Sequence, residues 1–390
     1  SKGIFGLFNT FTGGALQQFS VFALGIMPYI SSSIIFQLLQ STIPYLEALK
    51  KEGEHGRRKI NQYTRYGTVV LSFVQGYAIS NWLLHSTSPD GHPLVLSPNV
   101  GFLPFQVMTI ITLTAGTCFI MWLGEQITER GIGNGSSMII FSGIAASIPN
   151  GAQRLWELVR SGEMSFVLVL GLLAFMVLIV AGVIFVEVGQ RRIAVQYSQR
   201  GGGMQSMSAP SSHLPLKLNI SGVIPPIFAS SLLMFPATMA QFVNSPFLRS
   251  IQDSLTPSGG LYNIMFVGLI VFFSFFYTDV VFKPSEVAEN LKKYGGFIPG
   301  IRAGKTTADY IQKVLERISV GGAIYLSVVC VLPGMLIDLA KVPFYFGGTS
   351  LLILVGVALD TSQQIQSHLI SQKYEGFLKG VKIRSRRIQY

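Results

Sequence analysis

Charge is scarce in this 390-residue chain: Asp, Glu, Lys and Arg together make up 12% of it, against 49% hydrophobic residues. A soluble domain is roughly a quarter charged, so a water-exposed globule is excluded and a membrane protein is expected. Cysteine is nearly absent as well. Cys118 and Cys330 both fall in apolar stretches and read as small buried hydrophobes, which excludes a disulfide framework or a thiolate metal site. The five histidines are scattered without ligand spacing. Acid is outnumbered, 18 residues against 29 Lys and Arg, leaving a net charge of +11. On a soluble protein that surplus would suggest nucleic acid; in a membrane protein it is first a topology signal with a basic cytosolic face.

Apolar windows of about 20 residues suit membrane-crossing helices. Nine are expected: 18–40, 62–84, 103–127, 132–149, 165–186, 219–243, 260–282, 319–339 and 346–366. Alternate connections then collect 24 of the 29 Lys and Arg, and the other set holds only Lys2, Arg154, Arg160, Arg249 and Lys341. The positive-inside rule puts the basic connections and the C-terminus in the cytosol and Ser1 outside. The expected organisation is an initial segment 1–17, a first half 18–149, an external linker 150–164, a second half 165–366 and a basic tail 367–390. Two cytosolic loops, 187–218 and 283–318, are too long to be turns, and long ordered loops are often functional.

Within the first span, "LGIMPYISSSII" (24–35) interrupts a hydrophobic run with glycine, proline and three serines. The pattern returns. Gly25-Ile26-Met27-Pro28-Tyr29-Ile30 and Gly222-Val223-Ile224-Pro225-Pro226-Ile227 both read G-x-x-P-x-I, and each is followed by serines, Ser31–Ser33 and Ser230–Ser231. By the topology above the two copies run in opposite directions. Inverted repeats with Gly/Pro-interrupted helices place pathways at the membrane midplane. Pro28 and Pro225 each remove a backbone donor and are expected to loosen their helices. The echo also leaves the first half one helix short of the second, so a helix upstream of Ser1 is expected. The opening stretch "SKGIFGLFNTFTGGALQQ" is too short to span; it is expected to lie on the interface or fold back, with Gly13 and Gly14 as a hinge.

Enzyme-like signals fail on inspection. "PGIRAGKTT" approaches a phosphate-binding loop but has Pro299 where the pattern needs glycine, and no strand precedes it. No Ser/His/Asp set lies in the spans, and Asp279, Asp338 and Asp360 fall toward span ends. Three functions compete for a chain of this class: a passive polypeptide channel, a secondary solute transporter and an intramembrane enzyme. A transporter would place coordinating charges at the midplane, where this chain places isoleucines.

Together, "FNTFTGGALQQFSVFALGIMPYISSSIIFQLL" (8–39), "TERGIGNGSS" (128–137), "VEVGQRRI" (186–193), "HLPLKLNISGVIPPIFASSLLMFP" (213–236), "GGFIPGIRAGKTT" (295–307) and "GGTSLLILVGVALD" (347–360) resemble the SecY family of protein-translocation channels over essentially the whole chain. The resemblance implies an all-α polytopic membrane protein: ten helices, nine of them in this chain, in two inverted halves around an hourglass pore. It implies an aliphatic pore ring at Ile26, Ile30, Ile140, Ile227 and Ile353. A plug is implied around Phe5, Leu7, Phe8, Phe11, Gly13 and Gly14. A lateral gate follows at Pro28, Ser33, Gln37, Gln75, Pro225, Ser230 and Ser231. Cytosolic docking is implied at Arg191, Arg192, Arg302 and Lys305. The implied partners are the small membrane subunits SecE and SecG, the SecA motor ATPase, the ribosome, signal sequences with unfolded preproteins, and membrane lipids, in a bacterial plasma membrane. No cofactor or catalysis is implied. The chain departs from the family in lacking the first helix, in Ser136 where an apolar residue is usual, and in the Gly/Ser-rich tip "RGGGMQSMSAPSSH" (200–213).

Overall fold

The computed structural model describes residues 12–16, 18–85, 93, 95, 99–100, 103–162, 165–197, 212–239, 260–340 and 348–380. Among these, the chain runs through α1 (Met27–Thr42), α2 (Pro44–Lys51), α3 (Glu54–His85), the two-residue strands β1 (Asn99–Val100) and β2 (Leu103–Pro104), then α4 (Phe105–Arg130), α5 (Gly135–Arg160) and α6 (Phe166–Val188). Strands β3 (Gln190–Tyr197) and β4 (Ser212–Lys217) lead to α7 (Ile224–Met239) and α8 (Gly260–Val281). Then come α9 (Pro284–Lys293), β5 (Gly296–Phe297), α10 (Lys305–Ala340) and α11 (Gly348–Gly380).

Neighbours repeat in order. In one half α1 packs on α3, α3 on α4 and α4 on α5; in the other α7 packs on α8, α8 on α10 and α10 on α11. The halves meet where α1 touches α7 and α5 touches α11. Four expected crossings, α3 to α6, lie between α1 and α7, so equivalent helices run in opposite senses. α6 lies against α11 and is the most lipid-like element, with a mean hydropathy of 3.1.

Among the described residues, four helical stretches are each long and apolar enough to cross a membrane by themselves: Phe105–Arg130, Phe166–Val188, Gly260–Lys293 and Lys305–Gly334. The other expected spans are less apolar for a physical reason visible in α3. Its buried stripe is Thr64, Thr68, Ser72, Gly76 and Ser80, while Val69, Val70, Phe73 and Val74 face outward. Small residues at every fourth position let helices approach closely in lipid, and the apolar face is turned to the acyl chains. Thr64 and Thr68 hydroxyls donate to carbonyls one turn back, at 3.0 and 2.8 Å, so the stripe costs no unpaired polar group.

The first span differs from its expected 18–40. Helix begins only at Met27, and residues 18–26 form turns with Gly25 at φ +55°. Pro28 sits in the first turn of α1, and Pro225 is the second residue of α7, whose preceding Gly222 has φ +62°. The two prolines therefore start helices and do not kink them. A first-turn N–H has no intrahelical acceptor, so proline loses nothing there. Each G-x-x-P motif is thus an elbow: a left-handed glycine, then a proline-primed helix.

The elbows are seated alike. Four residues before each glycine a carbonyl rests on a glycine of the equivalent helix: Val21 on Gly116 of α4, Leu218 on Gly322 of α10. A methyl group at Gly116 would collide with the Val21 carbonyl oxygen, and one at Gly322 would come within 3.1 Å of that of Leu218.

Other boundaries also move. α5 continues through Pro149 to Arg160, so most of the expected linker is helix. α11 runs on to Gly380, well past the expected end of its span. The two long loops expected on the cytosolic side, 187–218 and 283–318, merge into one small platform. β3 pairs antiparallel with β4 on one side (Arg191 opposite Leu216, Ile193 opposite Leu214) and with β5 on the other (Gln196 opposite Phe297). Ile193 and Val195 alternate inward and pack with Leu216, Ile298, Ile311 and Leu315, which fastens the sheet to the first turns of α10.

Candidate functional site

The five isoleucines expected at the pore come from four helices and both halves. Ile26 precedes α1 and Ile30 lies one turn on, its N–H bonded to the Ile26 carbonyl at 3.1 Å. Ile140 comes from α5, Ile227 from α7 and Ile353 from α11. All are buried, Ile353 completely, and all five belong to one contiguous apolar cluster with Met27, Ile34, Ile144, Phe228 and Leu352. That cluster fills the seam between the halves.

The gate residues divide. Pro28, Pro225, Ser230 and Ser231 are buried and Ser33, Gln37 and Gln75 half-buried. α1 and α7 touch, so the walls lie against each other. Ser32 ties α1 to α3: its hydroxyl donates to the Thr64 carbonyl at 2.8 Å. Gln37 Nε2 donates to Ser33 Oγ at 3.4 Å and Ser230 Oγ to the Ile227 carbonyl at 2.9 Å. Gln75 Oε1 and Ser231 Oγ are buried without a partner among the described residues. The plug residues Phe5, Leu7, Phe8 and Phe11 lie outside the described residues. Gly13 and Gly14 are described, in turns with φ +65° and +90°, and Gly13 lies against the Gly143 backbone of α5.

Arg191 and Arg192 are exposed on β3, and Arg302 and Lys305 are exposed at the turn that starts α10. The Arg302 carbonyl accepts from Thr307 Oγ1 at 3.0 Å, which fixes the turn and leaves the guanidinium free to point outward. The platform brings both basic groups onto one body. Among the described residues none of the four pairs with a carboxylate, whereas in the first half Lys51 pairs with Glu47 at 2.8 Å and Arg58 with Glu54 at 2.9 Å. The Lys51 hydrogen bond holds the exposed Glu47 carboxyl below its usual range.

One constellation has no counterpart in the sequence reading. In the elbow before α7, Asn219 Nδ2 donates to Glu187 Oε2 at the end of α6 (3.0 Å) and to the Gly222 carbonyl (3.1 Å). Ser221 Oγ donates to Asn219 Oδ1 at 3.2 Å and meets Ser274 Oγ of α8 at 3.3 Å. The Leu218 N–H donates to the Gly189 carbonyl at 2.9 Å. Asn219 and Ser221 are each 3% exposed. A buried asparagine beside a "VEVG" helix end was the available signal, but nothing local links two residues 32 apart.

Among the described residues no three His, Cys, Asp or Glu stand close enough to hold a metal ion. Inverted halves, a buried aliphatic seam and two apposed proline-started helices define a polytopic helical membrane channel. The model of the SecY family matches residues 20–362. The chain is 50% identical over 380 residues to the protein translocase subunit SecY of Pseudomonas aeruginosa, covering 96% of this chain and 84% of the relative. To that of Rickettsia felis it is 48% identical over 386 residues, covering 98% and 88%. Its fold matches a solved protein-conducting channel (TM-score 0.67, 17% identity, 93% of this chain and 85% of the other). It also matches Sec61 in the canine ribosome–channel complex from the endoplasmic reticulum (TM-score 0.63, 16% identity, 93% and 85%). The chain belongs to the SecY family, a family of translocase channel subunits and not of enzymes.

Proposed function

We propose that this channel subunit conducts unfolded polypeptide through the seam between its halves and releases apolar segments sideways between α1 and α7. The observation that carries the reading is the single buried cluster joining Ile26, Ile30, Ile140, Ile227 and Ile353 across four helices. Aliphatic side chains present no hydrogen-bonding group, so they exclude water and ions when closed and part for a chain of any sequence when opened. A polypeptide in transit carries unsatisfied amides that hydrocarbon cannot accommodate. A wet path between the halves takes them, while a sufficiently apolar segment partitions into lipid according to its transfer free energy.

The contact between α1 and α7 supports their role as gate walls. Energy is supplied by a partner docked on the β3–β5 platform through Arg191, Arg192, Arg302 and Lys305: a motor ATPase of the SecA type or a ribosome. The ribosome-bound Sec61 match lends fold-level support to the second. SecE-like and SecG-like small subunits complete the assembly in a bacterial plasma membrane, with the C-terminus in the cytosol. The deciding experiment reconstitutes the full chain with the small subunits and the motor in vesicles. Protease-protected preprotein that depends on ATP is the expected result; small-solute uptake without preprotein transport overturns the reading.

A further inference from the structure

The gate has two walls, and their roots are built differently. α7 is 16 residues long, a rod of about 24 Å, so a small change of angle at its root becomes a large displacement at its tip. That root is the elbow Leu218–Val223. It is seated among glycines: Leu218 Cδ1 lies 2.5 Å from where a methyl group on Gly189 would be, the Leu218 carbonyl oxygen lies 3.1 Å from one on Gly322, and Val223 Cγ1 lies 2.6 Å from one on Gly356. Those glycines belong to the end of α6, to α10 and to α11. The hydrogen bonds around Asn219 then fasten the elbow to α6 and α8. The Ser274 backbone carbonyl accepts from Thr278 Oγ1 at 2.8 Å, and Ser319 Oγ of α10 donates to Thr278 Oγ1 at 3.5 Å, so polar contacts extend from α8 to α10.

The first-half elbow has the same kind of glycine seat, with Val21 on Gly116, but among the described residues no counterpart of the Asn219 bridge. The position three residues before its glycine, occupied by Asn219 in the second half, is Phe22, which is 43% exposed. Its ring meets that of Phe119 at 6.1 Å. Its own N–H takes only the Ser20 hydroxyl, at 3.3 Å.

We propose that Asn219 is a positioning residue for gating: by bridging Glu187 and the Gly222 carbonyl it holds α7 at the angle that keeps the wall against α1. The bonds are satisfied in the arrangement with α1 and α7 in contact, and a change in the root angle of α7 would break them. They therefore favour the closed state by differential stabilisation, and removing them shifts the population towards open. Asn219 touches no substrate. It acts through α7, and the inference rests on the lateral-gate reading above.

The test uses the full-length protein with its small subunits and motor in vesicles, and two preproteins: one intact, one with an arginine in the apolar core of its signal segment. Asn219→Leu keeps the size and removes all three side-chain hydrogen bonds, to Glu187, to the Gly222 carbonyl and from Ser221. It is expected to raise transport of the crippled preprotein about tenfold, the factor that one lost hydrogen bond to a charged group is worth in an equilibrium, with transport of the intact one retained. Resting conductance in planar bilayers rises in parallel. Asn219→Asp sets two carboxylates against each other and is expected to exceed Asn219→Leu. Adding Glu187→Gln restores the carboxylate–amide bond to α6 with donor and acceptor exchanged, though not the donation to the Gly222 carbonyl, and is expected to return both readings part of the way to the parent. Parental readings in the single variants overturn the proposal. So does a double variant as open as Asn219→Asp, or a loss of both preproteins in proportion, which is what a purely structural role predicts. If the parent transports neither preprotein, the channel reading itself has failed.

Discussion

The two elbows share a plan and differ in their fastening. Each has a left-handed glycine, a carbonyl laid on a glycine of the equivalent helix, and a proline-started helix beyond. The α1 elbow is then held by packing, with Phe22 turned outward; the α7 elbow is held by buried hydrogen bonds to α6 and α8. Packing contacts are non-directional and tolerate sliding, whereas a satisfied buried polar network specifies one arrangement. A duplicated scaffold has become asymmetric: the root of α7 carries a buried side-chain network that the root of α1 does not repeat residue for residue. The connections between helices are asymmetric in the same direction, because the three-stranded sheet platform belongs wholly to the second half.

The largest expected effect tests whether the halves are equal at the seam. Ile140 and Ile353 occupy equivalent helices and are 2% and 0% exposed. Replacing either with asparagine buries an amide without partners, at a cost of about 1–3 kcal/mol, and lets water into the seam. Ile353→Asn is expected to raise ion leak in planar bilayers by about tenfold or more by wetting the collar, and Ile140→Asn by a similar amount. Unchanged conductance in Ile353→Asn removes it from the ring; a rise in one variant alone breaks the equivalence of the halves.

Next come the glycine seats. Gly116→Ala drives a methyl group into the Val21 backbone, which cannot rotate away, and should cost about 1–3 kcal/mol as overpacking. Gly322→Ala meets the Leu218 carbonyl at 3.1 Å and asks for only a small displacement, so it should cost under about 1 kcal/mol. Thermal unfolding of the purified complex reads the difference. Equal losses would mean that the α1 elbow shifts to relieve the larger overlap at Gly116.

Much of this was legible in the sequence, for reasons that also explain what was not. Hydropathy pointed to the four helical stretches that are long and apolar enough to cross a membrane among the described residues, because lipid contact acts on every residue of a span at once. The G-x-x-P echo found both elbows but mistook them for kinks, because residues 18–26 are as apolar as the helix they precede, and hydropathy does not separate a turn inside the protein from a helix. The preference of proline for a first turn would have corrected this. Strand β3, "QRRIAVQY", buries only Ile193 and Val195 and carries two arginines, so it read as loop. The Asn219–Glu187 bond joins different elements and leaves no local trace. The plug residues Phe5 to Phe11 were legible as a motif only.

The platform offers a contrast of charge. In the first half Arg58 is committed to Glu54 one turn away, while in the second half Arg302 pairs with no described carboxylate. Arg302→Glu should therefore lower motor-driven transport several-fold while moving stability by less than about 0.5 kcal/mol, as for other exposed sites. Arg58→Glu, read in the same vesicle assay, should lower it much less. Equal transport in the parent and Arg302→Glu would reject the docking role.

The smallest effects separate the serines of the two gate helices. Ser32 is 1% exposed and its hydroxyl bonds the Thr64 carbonyl of α3 at 2.8 Å, so it links α1 to its own half. Ser32→Ala removes that donor and should cost about 1 kcal/mol, the net worth of one hydrogen bond. Ser231 on α7 is 8% exposed and its hydroxyl has no partner among the described residues. Ser231→Ala therefore removes a buried polar group that gains nothing from the protein, and it should leave the unfolding temperature of the complex unchanged or slightly raised. The sign of that second change matters more than its size. A clear loss on Ser231→Ala would mean that its hydroxyl has a partner in the assembled complex, a neighbouring subunit or water held between the walls, and that the α7 wall is fastened along its length as well as at its root.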